Sequence, residues 1–354
     1  SENERSLFLE RAMSKLSTAG RVAVAVGLLV CVQVLLLLVF AWSASRSAPH
    51  DLPIAAAGPA QQVQALVGGV ESAQPGAFDV TVVSDDAAAQ TAVTSREVYG
   101  AIVLGQSGVT VYTASAASGA VAQALSQGIP AAVRAANPDV PVTVTDLVPS
   151  PADDPHGAGL SIAFLPLAIT SLAAGAIIAL LALGRLQRLV ALVGYAVAAG
   201  VLCVAVLQPG LGVLTGGWAA NAAVLGLVSL AIAAATCGLA VLLGPGGIGL
   251  SVLVVFFLGM PFSGVTSAWQ LVPTPWGAWA QLLPLGAANT AVRSVAFFSS
   301  AGAGGALAVL GVWAIAGLLL AGLLPGRALR HGSSDVAGSD VPREVLSPEA
   351  VAGS

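Results

Sequence analysis

Six stretches of this chain are continuously apolar, and one long stretch between the first two is not. The apolar runs lie near 22–42, 159–183, 189–208, 219–243, 247–264 and 304–324. As helices, runs of about 20 residues match the ~30 Å hydrocarbon core of a bilayer, so each is expected to be a span. The first exceeds the apolar core of a signal peptide, about 7–15 residues, and reads as a retained anchor. Residues 44–157 behave differently. LPIAAAG (52–58), AFDVTVV (77–83), VYGAIVL (98–104), VTVYTA (109–114) and VPVTVTDL (140–147) have the composition and alternation of strands. Ala60–Glu71, 85–94 and Ala117–Ala136 have helical spacing, and GQSG between the third and fourth strands is a hairpin signal. About 100 residues suffice for a separate core. The pattern therefore predicts an α-helical polytopic membrane protein of six spans, with an α/β domain inserted between the first and second.

The remaining segments are shorter. Residues 5–19 carry Phe8, Leu9, Ala12, Met13 and Leu16 on one helical face, and Arg5, Glu10, Arg11 and Lys15 on the other. This predicts a basic amphipathic helix in the headgroup plane. Residues 265–303 hold Trp269, Trp276 and Trp279, several prolines and an amphipathic stretch at 285–298 that contains Arg293. Tryptophans gather at membrane interfaces, so an interfacial or re-entrant segment is expected rather than another span. Placing Arg293 at the bilayer centre would cost on the order of 2.5–3.5 kcal/mol. The chain divides into an N-terminal helix (1–21), a first span (22–43), the inserted domain (44–157), a five-span unit (158–326) and a Ser/Gly/acid-rich tail (327–354) expected to be disordered.

Charge fixes the expected orientation. Arg5, Arg11, Lys15 and Arg21 precede the first span, Arg185 and Arg188 separate the second and third, and Arg327 and Arg330 follow the sixth. With six spans all fall on one side, the cytoplasmic one. The inserted domain and the Trp-rich segment then face outward, and both termini are cytoplasmic.

Charge also excludes chemistry. Between Asp154 and Asp335 lie 180 residues without a single Asp or Glu. No carboxylate is available at membrane depth to relay protons, hold a metal or act as a general acid or base. The one lysine, Lys15, follows no Gly-rich loop; GPGGIGLS at 244–251 has the glycines without the lysine, so there is no P-loop. Cys31, Cys203 and Cys237 lie in apolar runs without paired spacing, and His50, His156 and His331 are scattered and expected at interfaces. No catalytic residue, metal or cofactor is expected, and no nucleic-acid partner. Gln33, Thr170, Ser171, Asn221 and Ser229, the uncharged polar candidates in the runs, are expected to bond between helices.

The order of these parts resembles a family. One span, a large insert, then five spans with a long outer segment before the last is similar to ABC type-2 transporter permeases, in particular the YhgE/Pip branch and its actinobacterial relatives. The resemblance rests on LPIAAAG after the first span, REVYGAIVLG at 96–105, VTVTDLVPSPADDPHGAGLS at 142–161, MPFSG at 260–264 and QLLPLGAANTAVRSVAFF at 281–298. It implies a bacterial plasma-membrane permease, a homodimer or heterodimer, exporting substrate with a separate ABC ATPase. Arg11, Lys15, Arg185 and Arg188 would form the ATPase-coupling surface, although the connectors are shorter than such permeases usually offer. A non-transporting envelope scaffold or secretion accessory, whose outer domain binds a partner, is the alternative.

Overall fold

The structure is a computed structural model that describes residues 17–181 and 183–323. Expectations for the helix at 5–19, with Arg11 and Lys15, and for the tail lie outside the described residues. Six helices are long and apolar enough to cross a membrane. They are α1 (Thr18–Ser45), α5 (Ala158–Leu180), α6 (Arg185–Gly210), α7 (Trp218–Leu243), α8 (Pro245–Phe262) and α11 (Gly304–Leu323). The protein is a multi-pass membrane protein. All six expected runs are recovered, with one change of boundary. GRLQR does not form a connector, because Arg185 already opens α6.

Between α1 and α5 the chain forms a five-stranded sheet: β1 Leu52–Ala57, β2 Phe78–Val82, β3 Gly100–Gly105, β4 Gly108–Thr113 and β5 Val142–Asp146. The order is β2-β1-β3-β4-β5, with only the β3–β4 hairpin antiparallel. The three crossovers are α2 (Ala60–Ala73), α3 (Asp86–Thr94) and α4 (Gly119–Ala136). Asp85 caps α3 by accepting from the Ala88 N–H at 2.8 Å, and Ser118 caps α4 through the Val121 N–H at 3.3 Å.

Right-handed crossovers decide the layering. β1→β2 and β2→β3 step in opposite directions, so α2 and α3 lie on opposite faces. β4 runs antiparallel to β3, which returns the β4→β5 crossover, α4, to the face of α2. The buried clusters agree. Val121 and Leu125 of α4 pack with Leu52 and Val111, whereas Ala89, Ala92 and Val93 of α3 pack with Ala55, Ala57 and Ala101.

α7 is the axis of the helical bundle, with α5, α6 and α11 around it. Glycines bring the backbones together: a Cβ on Gly175, Gly200 or Gly317 would lie 2.3 Å from a backbone atom of α7. Close approach over small residues is how helices associate in lipid, where burial of apolar surface gives no net drive. α1 stands apart along most of its length and meets the bundle at its C-terminal end. There Ser43 Oγ donates to the Pro261 carbonyl at 2.8 Å, and Trp42 lies edge-on to Phe262. The linker beyond α1 is then zipped to the segment after α8, Ala48 N–H to Leu271 O at 3.1 Å and His50 N–H to Gln270 O at 2.9 Å.

Residues 265–303 form no span. They comprise a short turn of helix at Trp269–Leu271, a five-residue helix α9 (Trp276–Ala280), and α10 (Pro284–Phe297). Trp276 and Trp279 are exposed and Trp269 half-buried, while α10 is buried along nearly its whole length.

Candidate functional site at the junction of sheet domain and bundle

α10 is covered from two sides, by the sheet domain and by the bundle, and its polar residues tie the two together. Arg293, expected in the outer interfacial segment, is buried, 4 % exposed, with its guanidinium engaged by neighbours. Nε donates to Asn289 Oδ1 at 2.9 Å, one helical turn earlier. Nη1 donates to the Ala116 carbonyl of the sheet domain at 3.1 Å. Nη2 donates to Ser161 Oγ of α5 at 3.2 Å and to the Val265 carbonyl at 3.4 Å. One side chain thus joins α10, the sheet domain, α5 and the segment after α8. Asn289 completes the arrangement by donating to the Gly264 carbonyl at 3.0 Å.

Arg96 reaches the same helix from above. It sits in a left-handed backbone conformation, φ 61°, at the turn between α3 and β3. That geometry is uncommon for a residue with a Cβ. Its Nη1 donates to the Thr290 carbonyl at 2.6 Å and to Ser294 Oγ, and its guanidinium lies 5.4 Å from the centre of the Phe298 ring. Tyr99 adds a bond to Gln270 Oε1 at 3.0 Å.

The electrostatics are unusual. Among the described residues no carboxylate forms an ion pair with either arginine. Asp154, the nearest buried acid, instead accepts from the Gly159 and Leu160 N–H groups, both at 3.0 Å, and so caps α5. Two cations are therefore held by carbonyls, hydroxyls and a ring face. Burial pushes Arg293 down to about 10, the Arg96 charge adds to that, and Tyr99 and Asp154 oppose it. Burial likewise lowers Arg96 and raises the Tyr99 hydroxyl. A small polar cavity of about 120 Å³ lies against Arg96, Tyr99, Gln270 and Thr290. The junction can position and transmit force. Among the described residues no group of His, Cys, Asp and Glu could hold a metal ion, and the three cysteines are unpaired.

The far end of the bundle carries the other expected site. Of the two arginines expected in the coupling surface, Arg185 is exposed and Arg188 is only 4 % exposed. Its Nη1 donates to the Ala321 carbonyl in the last turn of α11 at 2.7 Å, and Nη2 to the Leu183 carbonyl at 3.4 Å. A cation at a helix C-terminus satisfies carbonyls that have no intrahelical donor. Among the polar residues of the spans, Ser171 meets Tyr195 Oη at 3.3 Å across α5 and α6, and Asn221 donates to Gln208 Oε1 at 3.0 Å. Thr170 bonds within its own helix to Pro166, Ser229 is buried without a partner, and Gln33 is exposed.

Sequence reading alone did not single out Arg96, Tyr99, Gln270, Asn289 or Asp154. One signal was present: Asn289 and Arg293 stand at i and i+4 in a mostly apolar helix, a spacing that places both on one face. The chain matches no protein-family model, no curated protein and no solved structure.

Proposed function

We propose that this chain is the membrane-spanning subunit of an ABC-type export complex in a bacterial plasma membrane, driven by ATP hydrolysed on a separate polypeptide. The sheet domain would lie outside the cell, both termini would be cytoplasmic, and two such subunits would complete the membrane unit. The observation that carries the reading is the bundle's want of an energy source. Its two described buried cations, Arg188 and Arg293, lie at opposite ends and are bound to neutral oxygens. The chain from 155 to 334 has no carboxylate. Ion-coupled transporters keep ionisable groups at membrane depth, and nothing here can play that part. The Arg96 and Arg293 contacts support a role for the sheet domain as well, since movement of α5 or α10 would be passed to it directly.

Purification in mild detergent tests this. A nucleotide-binding subunit should accompany the chain, and transport in reconstituted vesicles should require ATP. Transport by the chain alone, driven by a proton gradient without nucleotide, would overturn the reading. A second reading, an envelope scaffold whose sheet domain binds a partner, is favoured by the burial of Arg188. That leaves Arg185, at the start of α6, as the exposed cation of the pair. Recovery of an envelope protein bound to the sheet domain, with no ATPase, would decide for it.

A further inference from the structure

The sheet domain contains a cavity that its own topology creates. α2 covers β1 and β2, and α4 covers β4 and β5, on the same face. Three strand spacings separate the two helices, about 14 Å at ~4.8 Å per spacing. Packed helices lie about 8–10 Å apart. Over the middle of the sheet side chains fill the gap, since Ile54, Ala56, Val63, Ile102 and Val111 are all buried, and open space between the helices remains toward the ends of the strands.

At the end nearest the bundle this space is a cavity of about 380 Å³, within the range of about 300–1,000 Å³ typical of small-molecule sites. Val70, Phe78, Val121, Leu125, Ile129 and Leu271 are among its walls, and Gln74 is its one polar side chain. No charged residue lines it. A separate polar cavity of about 550 Å³, bordered by Gln62, Gln106, Asn137 and Asp139, lies by the β3–β4 turn. The apolar cavity lies close to the end of α1: Pro49 lines it and follows the last residue of α1 by four positions, at most about 14 Å of extended chain. Leu271 also borders a second cavity, about 350 Å³, whose lining includes Phe40, Ser43 and Ala44 at the end of α1. α1 is exposed along most of its length, so this second cavity opens beside a helix whose apolar side chains are free to face lipid.

We infer that the apolar cavity between α2 and α4 binds the hydrocarbon chain of a membrane amphiphile, which enters from the bilayer past the end of α1 and Leu271. The occupant is a lipid chain rather than a soluble metabolite. The cavity offers no charge and almost no hydrogen bonding, and its wall begins four residues beyond the end of a helix long and apolar enough to cross a membrane. The inference does not depend on the exporter reading, because a lipid-binding domain serves a scaffold equally.

Gly128 supplies the test. It lines the cavity from the middle of α4, and a Cβ there would meet nothing within 4 Å. Gly128→Leu therefore fills the cavity while favouring the helix. The full chain would be reconstituted in phosphatidylcholine vesicles containing a phosphatidylcholine with a photoreactive group at one chain end. Adducts would be mapped by peptide mass spectrometry. Wild-type protein should be labelled on residues 70–78 and 121–129. Gly128→Leu should lose at least tenfold of that labelling and keep its labelling on the spans. Ala124→Phe, on the same wall, should behave likewise and covers misfolding of the first variant. Three results would overturn the inference: labelled spans with an unlabelled sheet domain in wild type, equal labelling in wild type and well-folded variants, or photo-crosslinks showing the cavity filled by a second copy.

Discussion

α7 and α1 are similar in hydropathy and opposite in environment. Their most apolar windows have mean hydropathies of 2.3 and 3.0, yet 83 % of the α7 window is buried and none of the α1 window. The difference lies in the kind of apolar residue. α7 is built from Ala, Gly, Ser and Thr, and neighbouring helices reach its backbone over Gly175, Gly200 and Gly317. α1 is built largely from Val and Leu, whose side chains keep neighbours at a distance and suit lipid. Hydropathy says that a segment enters the membrane; side-chain size says whether it packs there.

The sharpest way to break this contrast is to enlarge a residue at the axis. Gly317→Leu would drive a side chain into the Ala234 backbone, 2.3 Å from its Cβ position. Overpacking costs about 1–3 kcal/mol where side chains can yield, and here the obstacle is backbone. The variant should lose the folded bundle, seen as aggregation on size-exclusion chromatography in detergent. At the junction, Arg293→Met should remove four hydrogen bonds and cost about 3 kcal/mol, counting ~1.5 kcal/mol for each of the two closest, at 2.9 and 3.1 Å. Thermal unfolding would measure it, and protease should release the sheet domain more readily. Its normal melt with an intact junction would remove Arg293 from the docking role.

At the far end, Arg188→Met should lower stability by about 2 kcal/mol through the lost bond to Ala321, while Arg185→Met should change it by less than about 0.5 kcal/mol. Equal effects of the two would contradict the buried cap. The smallest effect should come from α1. A Cβ at Gly27 meets nothing within 4 Å, so Gly27→Leu should leave the unfolding free energy within about 0.5 kcal/mol of wild type. A large loss there would show that α1 is packed against another chain.

How much of this could be read from the sequence follows from the range of the interactions. The sheet domain was legible because its signals are local: strand alternation and the GQSG hairpin lie within a few residues of what they shape. The spans were legible for the same reason. The burial of Arg188 was not legible because its partner, the Ala321 carbonyl, is 133 residues away, and an arginine near a span end is ordinarily interfacial. The burial of Arg293 was not legible for a related reason. The moderate amphipathicity of α10 reads as a surface helix, and only the tertiary structure reveals that the sheet domain covers the polar side through Ala116. The cavity in the sheet domain was out of reach of local reading because it arises from strand order.

The attachment of α1 has a mechanical consequence. The helix is 28 residues long, about 42 Å at 1.5 Å per residue, and it is fastened near one end by Ser43 and by the paired strands of backbone at Ala48 and His50. A rod pinned at one end magnifies rotation. A tilt of about 10° at the pin sweeps the opposite end through ~7 Å at that helical rise. The pin adjoins the segment 269–272, which also carries Leu271 and Gln270. Displacement applied to the N-terminal end of α1 thus arrives, reduced in amplitude and increased in force, at the floor of the sheet domain.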